Sequence, residues 1–194
     1  IEDVGILRTV PGITIISPAD SLETFKALEA AIKLNQPTYI RLTGGSNNPI
    51  VNSKDYEFKI GKSIKLKDGS DITIFSTGAS VYESLKAAEK LEEEKISCEV
   101  INMHTIKPLD TDAVKKSLNK KLLVSIEEHN IIGGLGSAIS EYKSSLGGGP
   151  KQIFIGVNDH YSKGGSYSYL KNKYGLSAEK IVTTVLQNYK SCFI

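Results

Sequence analysis

Glu127, Glu128 and His129 stand side by side where the apolar run Leu122–Ile126 gives way to the turn Gly133–Gly134–Leu135–Gly136. Two carboxylates beside an imidazole are side chains of acid–base chemistry, and the carboxyl end of a strand is where open α/β sheets place ligands. Adjacent strand residues point to opposite faces, so at most one carboxylate shares a site with the imidazole. The competing reading is that the trio faces a neighbouring domain or subunit. The glycine turn precedes a helix, where free backbone N–H groups can cradle an anion. It is not a dinucleotide fingerprint, because Ile139 stands where the third glycine would fall counting from Gly134, and no Gly-Lys-Ser/Thr follows to make a Walker turn. Glycines also let a strand and a helix pack closely. Gly133 and Gly134 are therefore either ligand-facing or interface positions.

Arg41 lies near the carboxyl end of an apolar strand, after Tyr39 and Ile40. A guanidinium there either pairs with a structural carboxylate or reads a phosphate bidentately. His104, His129 and His160 show no metal-ligand spacing, and no serine stands in a G-x-S-x-G elbow. The residues thus mark no catalytic nucleophile, no cofactor ligand and no metal site. Cys98 falls in an apolar strand as a small buried hydrophobe, and it forms no CxxC with the distant Cys192.

The elements that must position these side chains alternate. Ile13–Ile16 is a short β-branched strand stopped by Pro18. Asp20 and Glu23 then start a helix with Leu22, Phe25, Leu28 and Ile32 at helical spacing, and Pro37 ends it. Thr38–Leu42 completes one parallel crossover unit. Residues 43–56 have linker composition. Lys62–Lys67, the Asp68–Gly69 turn and a strand from Asp71 predict a hairpin. Strand Ile72–Ser76 leads into a helix with a Ser80/Glu83 capping box. Strands over 99–103, 122–126 and 153–157 and helices over 111–119, 136–146, 165–174 and 177–189 follow. That alternation predicts a three-layer α/β/α sandwich with a mainly parallel sheet, preceded by a partial βαβ unit.

With 24 basic and 22 acidic residues, the net charge of +2 offers nothing to nucleic acid or an anionic membrane. No apolar run approaches the ~20 residues of a membrane helix, so the cytoplasm is the expected location. The first residue is Ile1 rather than Met, and the expectation is a piece of something longer.

The stretches EDVGILRTVPGITIISPADSLETFKALEAAI, PTYIRL, GASVYESLKAAEKL, TIKPLD and EEHNIIGGLG resemble, in this order, the last portion of transketolase-type enzymes. The resemblance divides the chain into a remnant of the pyrimidine-binding domain (1–43), a linker (44–58) and a transketolase C-terminal domain (59–194). It implies a two-carbon ketol transfer between sugar phosphates by an intact enzyme that uses thiamine diphosphate and Mg2+, with the hard chemistry supplied by the cofactor. It implies a homodimer and a missing N-terminal portion, on the same chain or a separate subunit, that holds the cofactor, with none bound to this chain alone. Arg41 matches the family's substrate-phosphate arginine; no other catalytic residue carries over. The alternatives are the same portion of deoxyxylulose-phosphate synthase or of a 2-oxo acid dehydrogenase beta subunit, a non-catalytic interaction domain, and a phosphate-binding protein using the 133–136 turn. Cut from its own sheet, the segment 1–42 is expected to be mobile, self-associated or packed on the following domain.

Overall fold

A computed structural model describes residues 1–43, 48–52 and 55–191. The expected linker lies partly, and Cys192 wholly, outside the described residues.

The crossover unit forms as its signals require. Strand β1 (Thr14–Ile16), helix α2 (Ser21–Leu34) and strand β2 (Thr38–Ile40) follow a short helix, α1 (Asp3–Arg8), and β2 runs parallel to β1 with Thr14 opposite Thr38. At the start of α2 the Asp20 carboxylate accepts from Glu23 N–H at 2.8 Å. Glu23 reaches back to accept from Ala19 N–H, just before the cap, at 2.7 Å, so the two carboxylates satisfy one donor on each side of the helix start.

The remainder builds strands β3 (Ile64–Lys67), β4 (Ile72–Ser76), β5 (Cys98–Asn102), β6 (Thr105–Lys107), β7 (Leu122–Asn130) and β8 (Lys151–Val157). Between and after them run helices α3 (Ser80–Glu93), α4 (Thr111–Lys116), α5 (Leu135–Ser145), α6 (Tyr167–Lys173) and α7 (Ala178–Lys190). Five strands form one sheet in the order β3-β5-β4-β7-β8, parallel except for β3 at the edge. On one face Ala88, Leu91, Ile181 and Val185 belong to α3 and α7 and cover the sheet around Ile74, Val100 and Val124. On the other, Val114 of α4 and Leu135 and Ile139 of α5 cover Phe75, Ile101 and Leu123. This is the expected three-layer α/β/α sandwich.

Two local expectations are corrected. The hairpin does not form: both edges of β4 are taken by parallel neighbours, so β3 pairs antiparallel with the free edge of β5. A Cβ at Gly69 would overlap the backbone of Cys98 and Glu99, and that closeness lets the chain cross over. The Ser80/Glu83 capping box is also absent. The turn at Gly78 starts the helix with Ala79 at the cap. The Glu83 carboxylate instead accepts from Lys171 Nζ at 2.8 Å and Ala178 N–H at 3.0 Å, tying α3 to the final helices.

Strand β6, which the TIKPLD stretch does not announce, pairs antiparallel with β1 and makes a second, three-stranded sheet in the order β2-β1-β6. Of the three fates expected for residues 1–42, the segment takes the last. It packs on the sandwich, with Val4, Ile15 and Ile106 forming a small core between them.

Candidate functional site at the junction of the two units

Helix α1 is wedged between the crossover unit and the end of β7. Its Gly5 N–H donates to His129 Nε2 at 3.3 Å, and Arg8 Nη1 donates to the Gly133 carbonyl at 2.8 Å. Lys107 Nζ donates to the Arg8 carbonyl at 2.8 Å. Gly5 lets α1 approach this turn closely, since a Cβ would lie 3.3 Å from the Ile132 carbonyl oxygen.

Alternation along β7 puts Glu127 and His129 on one side, as the sequence leads one to expect. The two are buried, with Glu127 Oε2 3.8 Å from His129 Nδ1. Glu127 accepts from Leu135 N–H at 2.7 Å and Gly136 N–H at 2.9 Å. The anion at this helix start is therefore the protein's own carboxylate, and it takes the N–H groups that a bound phosphate would use. Burial raises the Glu127 carboxyl to about 7 against the pull of those two donors. Gly134 leaves room for the carboxylate: a Cβ there would overlap it and crowd His129 Nδ1. Burial lowers the His129 imidazole below its ordinary range. A neutral ring donating from Nδ1 to the Asn130 carbonyl at 2.6 Å leaves Nε2 free to accept from Gly5. Glu128 turns away and accepts from the Tyr167 hydroxyl at 2.5 Å.

Arg41 continues the β2 ladder, its N–H donating to the Ile16 carbonyl at 2.8 Å. Its Nε donates to Asp3 Oδ2 at 2.9 Å, and the same oxygen accepts from the Tyr39 hydroxyl at 2.9 Å. Burial alone would raise the Asp3 carboxyl, but the Arg41 charge and the Tyr39 hydroxyl hold it below the ordinary value. Asp3, Tyr39 and Arg8 are missed by sequence reasoning. The available signal is Tyr39-x-Arg41, two residues on one strand face, which demands an acceptor opposite.

Arg41, Glu127 and His129 line one small space, shared with Ser17 and Gly78, and Glu128 borders it while its carboxylate points to Tyr167. At about 10 Å³ the space is sized for a water, not a substrate. The largest groove among those found in the described residues, about 600 Å³, lies beside the start of α2, lined by Asp20, Ser21, Phe25, Leu42 and Ile50, and Arg41 does not line it. His104 is buried against Phe58, ring centroids 4.1 Å apart, and burial pushes it down to about 4. His160 sits beyond β8, tilted against Tyr174. Among the described residues no group of three or more His, Cys, Asp or Glu is placed to hold a metal ion. Together with the occupied amides of the glycine turn, this does not fit a seat for a metal-bound diphosphate.

Fold and junction define an α/β sandwich that serves as the platform for a second α/β unit. The chain belongs to the transketolase family. The family model "Transketolase, C-terminal domain" matches residues 61–181, and "Transketolase, pyrimidine binding domain" matches residues 1–48. A Methanocaldococcus jannaschii protein named as a transketolase C-terminal section is 38% identical over 190 residues, 97% of this chain and 60% of that protein. A protein of Clostridium sp. (strain MSTE9) named 6-deoxy-6-sulfo-D-fructose transketolase subunit SqwH is 41% identical over 184 residues, 93% of this chain and 56% of that one. A solved structure described as a split gene transketolase, inactive β4 tetramer, superposes with a TM-score of 0.92 at 36% identity, covering 98% of this chain and 62% of the other. The chain therefore spans about 60% of the length of these relatives. No helix among the described residues is long and apolar enough to cross a membrane.

Proposed function

We propose that this chain supplies the C-terminal part of a transketolase-type enzyme that moves a two-carbon ketol unit between sugar phosphates in the cytoplasm. Residues 1–43 contribute the end of the pyrimidine-binding domain, 44–58 a linker, and 59–194 the C-terminal domain. Thiamine diphosphate and its Mg2+ are held by a complementary portion on a separate subunit, a division that the relative named as a subunit supports. Two such pairs make the dimer. The role of this chain is to complete the fold, hold the partner and present Arg41 to the substrate phosphate.

The observation that carries this reading is the outer face of α2. Glu23 and Ala27 are the buried residues of that helix. The apolar stripe is turned outward, with Phe25 69% and Ile32 73% exposed beside Leu22 and Leu28. An apolar stripe left in water is the mark of a surface that another protein covers. Calorimetric titration with thiamine diphosphate and Mg2+ tests the division of labour. The chain alone should give no saturable heat, and the chain assembled with the complementary portion, including the rest of the pyrimidine-binding domain, should; saturable binding to the chain alone would overturn it.

A further inference from the structure

We propose that the cavity beneath α6 is a binding site for a small alkylammonium ion, with the Glu128 carboxylate as its charge partner. This goes beyond the reading above and does not rest on it. In an open parallel sheet, ligands lie outside the carboxyl ends of the strands. Here the crossover unit covers most of that edge. Gly78 N–H, after β4, donates to the Ser17 carbonyl, and Ser17 N–H donates to the His104 carbonyl after β5. Gly5 covers His129 of β7 in the same way. Glu128 points the other way, toward Tyr167 at the start of α6. The space there, about 80 Å³, is walled by Val157 of β8 and by Tyr167, Leu170, Tyr174 and Leu176. Measured against the volume that one water needs, it holds a molecule of about five non-hydrogen atoms.

The charged groups that line this cavity are unequally matched. Lys171 Nζ donates to the buried Glu83 carboxylate at 2.8 Å. The ammonium of Ile1 is held by Glu2 Oε2 at 3.1 Å. Both cations are thus engaged by other carboxylates. Glu128 accepts from the Tyr167 hydroxyl at 2.5 Å, and among the described residues no ion pair engages it. A hydroxyl neutralises no charge, so a half-buried carboxylate borders an apolar space without a counter-ion. A ligand with one ammonium group and a short branched hydrocarbon suits both features. Its charge makes a charge-assisted hydrogen bond with Glu128, and its hydrocarbon takes apolar wall out of water. An anion would be repelled by Glu128, and a neutral molecule would leave that charge unpaired.

The test titrates this chain with isobutylammonium chloride and, separately, with its neutral isostere isobutanol, following the methyl NMR signals of Val157, Leu170 and Leu176. Isobutylammonium should shift them saturably with a Kd of about 1–10 mM, the range open to so small a ligand. Isobutanol, which lacks the charge, should bind about tenfold more weakly or less. Glu128→Gln keeps an acceptor for Tyr167 and removes the charge. It should weaken isobutylammonium about tenfold and leave isobutanol unchanged. Leu170→Trp fills the space and should abolish the binding of both, with methyl signals elsewhere in the sandwich confirming the fold of each variant. Equal affinity for the ammonium ion and the alcohol in the wild type would reduce the site to an apolar cavity and overturn the proposal, whatever the variants do. Binding of isobutylammonium that survives Glu128→Gln undiminished, or no saturable shift in the wild type, would overturn it too.

Discussion

The Gly5 amide donates to His129 Nε2 across 3.3 Å, joining residues 124 positions apart. This bond crosses between the crossover unit and the sandwich, and it requires a neutral imidazole. Burial depresses the His129 pKa below 6.5. A group with a depressed folded pKa contributes stability that is present above the unfolded value and lost as pH falls through the folded one. Hydrogen-exchange protection of the Gly5 amide, corrected for its intrinsic rate, should therefore hold at pH 7 and fall as pH drops below 6.5. In His129→Phe that pH dependence should vanish. Protection that is flat in the wild type from pH 7 to 4.5 would contradict this account of the junction.

Glu127 closes the start of α5 from inside. Glu127→Ala leaves the Leu135 and Gly136 N–H groups buried without an acceptor, at a cost of about 2–4 kcal/mol. Glu127→Gln keeps one acceptor and should lose less. Urea unfolding of the three proteins gives the order directly, and equal midpoints for Glu127→Ala and wild type would contradict the capping role.

Gly134 has an ordinary φ of −82°, so its requirement is space. Gly134→Ala sets a methyl against the Glu127 carboxylate and should destabilise by about 1–3 kcal/mol, as overpacking does. Combining it with Glu127→Ala should be less than additive, because the second change removes the atoms the methyl meets. Strict additivity in a double-mutant cycle would mean the two residues do not touch.

Glu23 is a buried carboxyl raised by burial to about 7, although it accepts from Ala19 N–H, the Asn102 amide at 2.8 Å and the Tyr56 hydroxyl at 3.1 Å. The Asp20 charge adds to the rise. A raised carboxyl contributes stability that is complete below pH 4.5 and lost as pH rises through about 7. The stability advantage of wild type over Glu23→Gln should therefore shrink between pH 5 and pH 8, measured by urea midpoints. An advantage that grows over that range would reverse the sign of the account.

The sandwich was legible because its two central strands, Ile72–Ser76 and Leu122–Ile126, are buried and mostly apolar runs, each followed by a glycine-containing turn and a helix. Asp20 and Glu23 announced their helix because capping is local chemistry. What the sequence hid was long-range. Lys62–Lys67 and Asp71 onward looked like a hairpin because turn residues separate them, and only competition for the edges of β4 sends β3 to β5. β6 is three residues long and exists because β1 has a free edge. At the site, Arg41 and the Glu127–His129 pair were visible as residue types, and period-two alternation separated Glu128 correctly. Asp3 was invisible because its partner lies 38 residues away, and nothing local in EDVGILR records that distance.

The most direct test of the whole account is ketol transfer from a keto sugar phosphate to an aldose phosphate, measured at fixed amounts of this chain with increasing amounts of its partner, the complementary portion that holds thiamine diphosphate together with the rest of the pyrimidine-binding domain. Activity should be absent for the chain alone at saturating thiamine diphosphate and Mg2+, and should rise and saturate as the partner is added. Turnover by the chain alone, or a stable complex that transfers nothing, would contradict it.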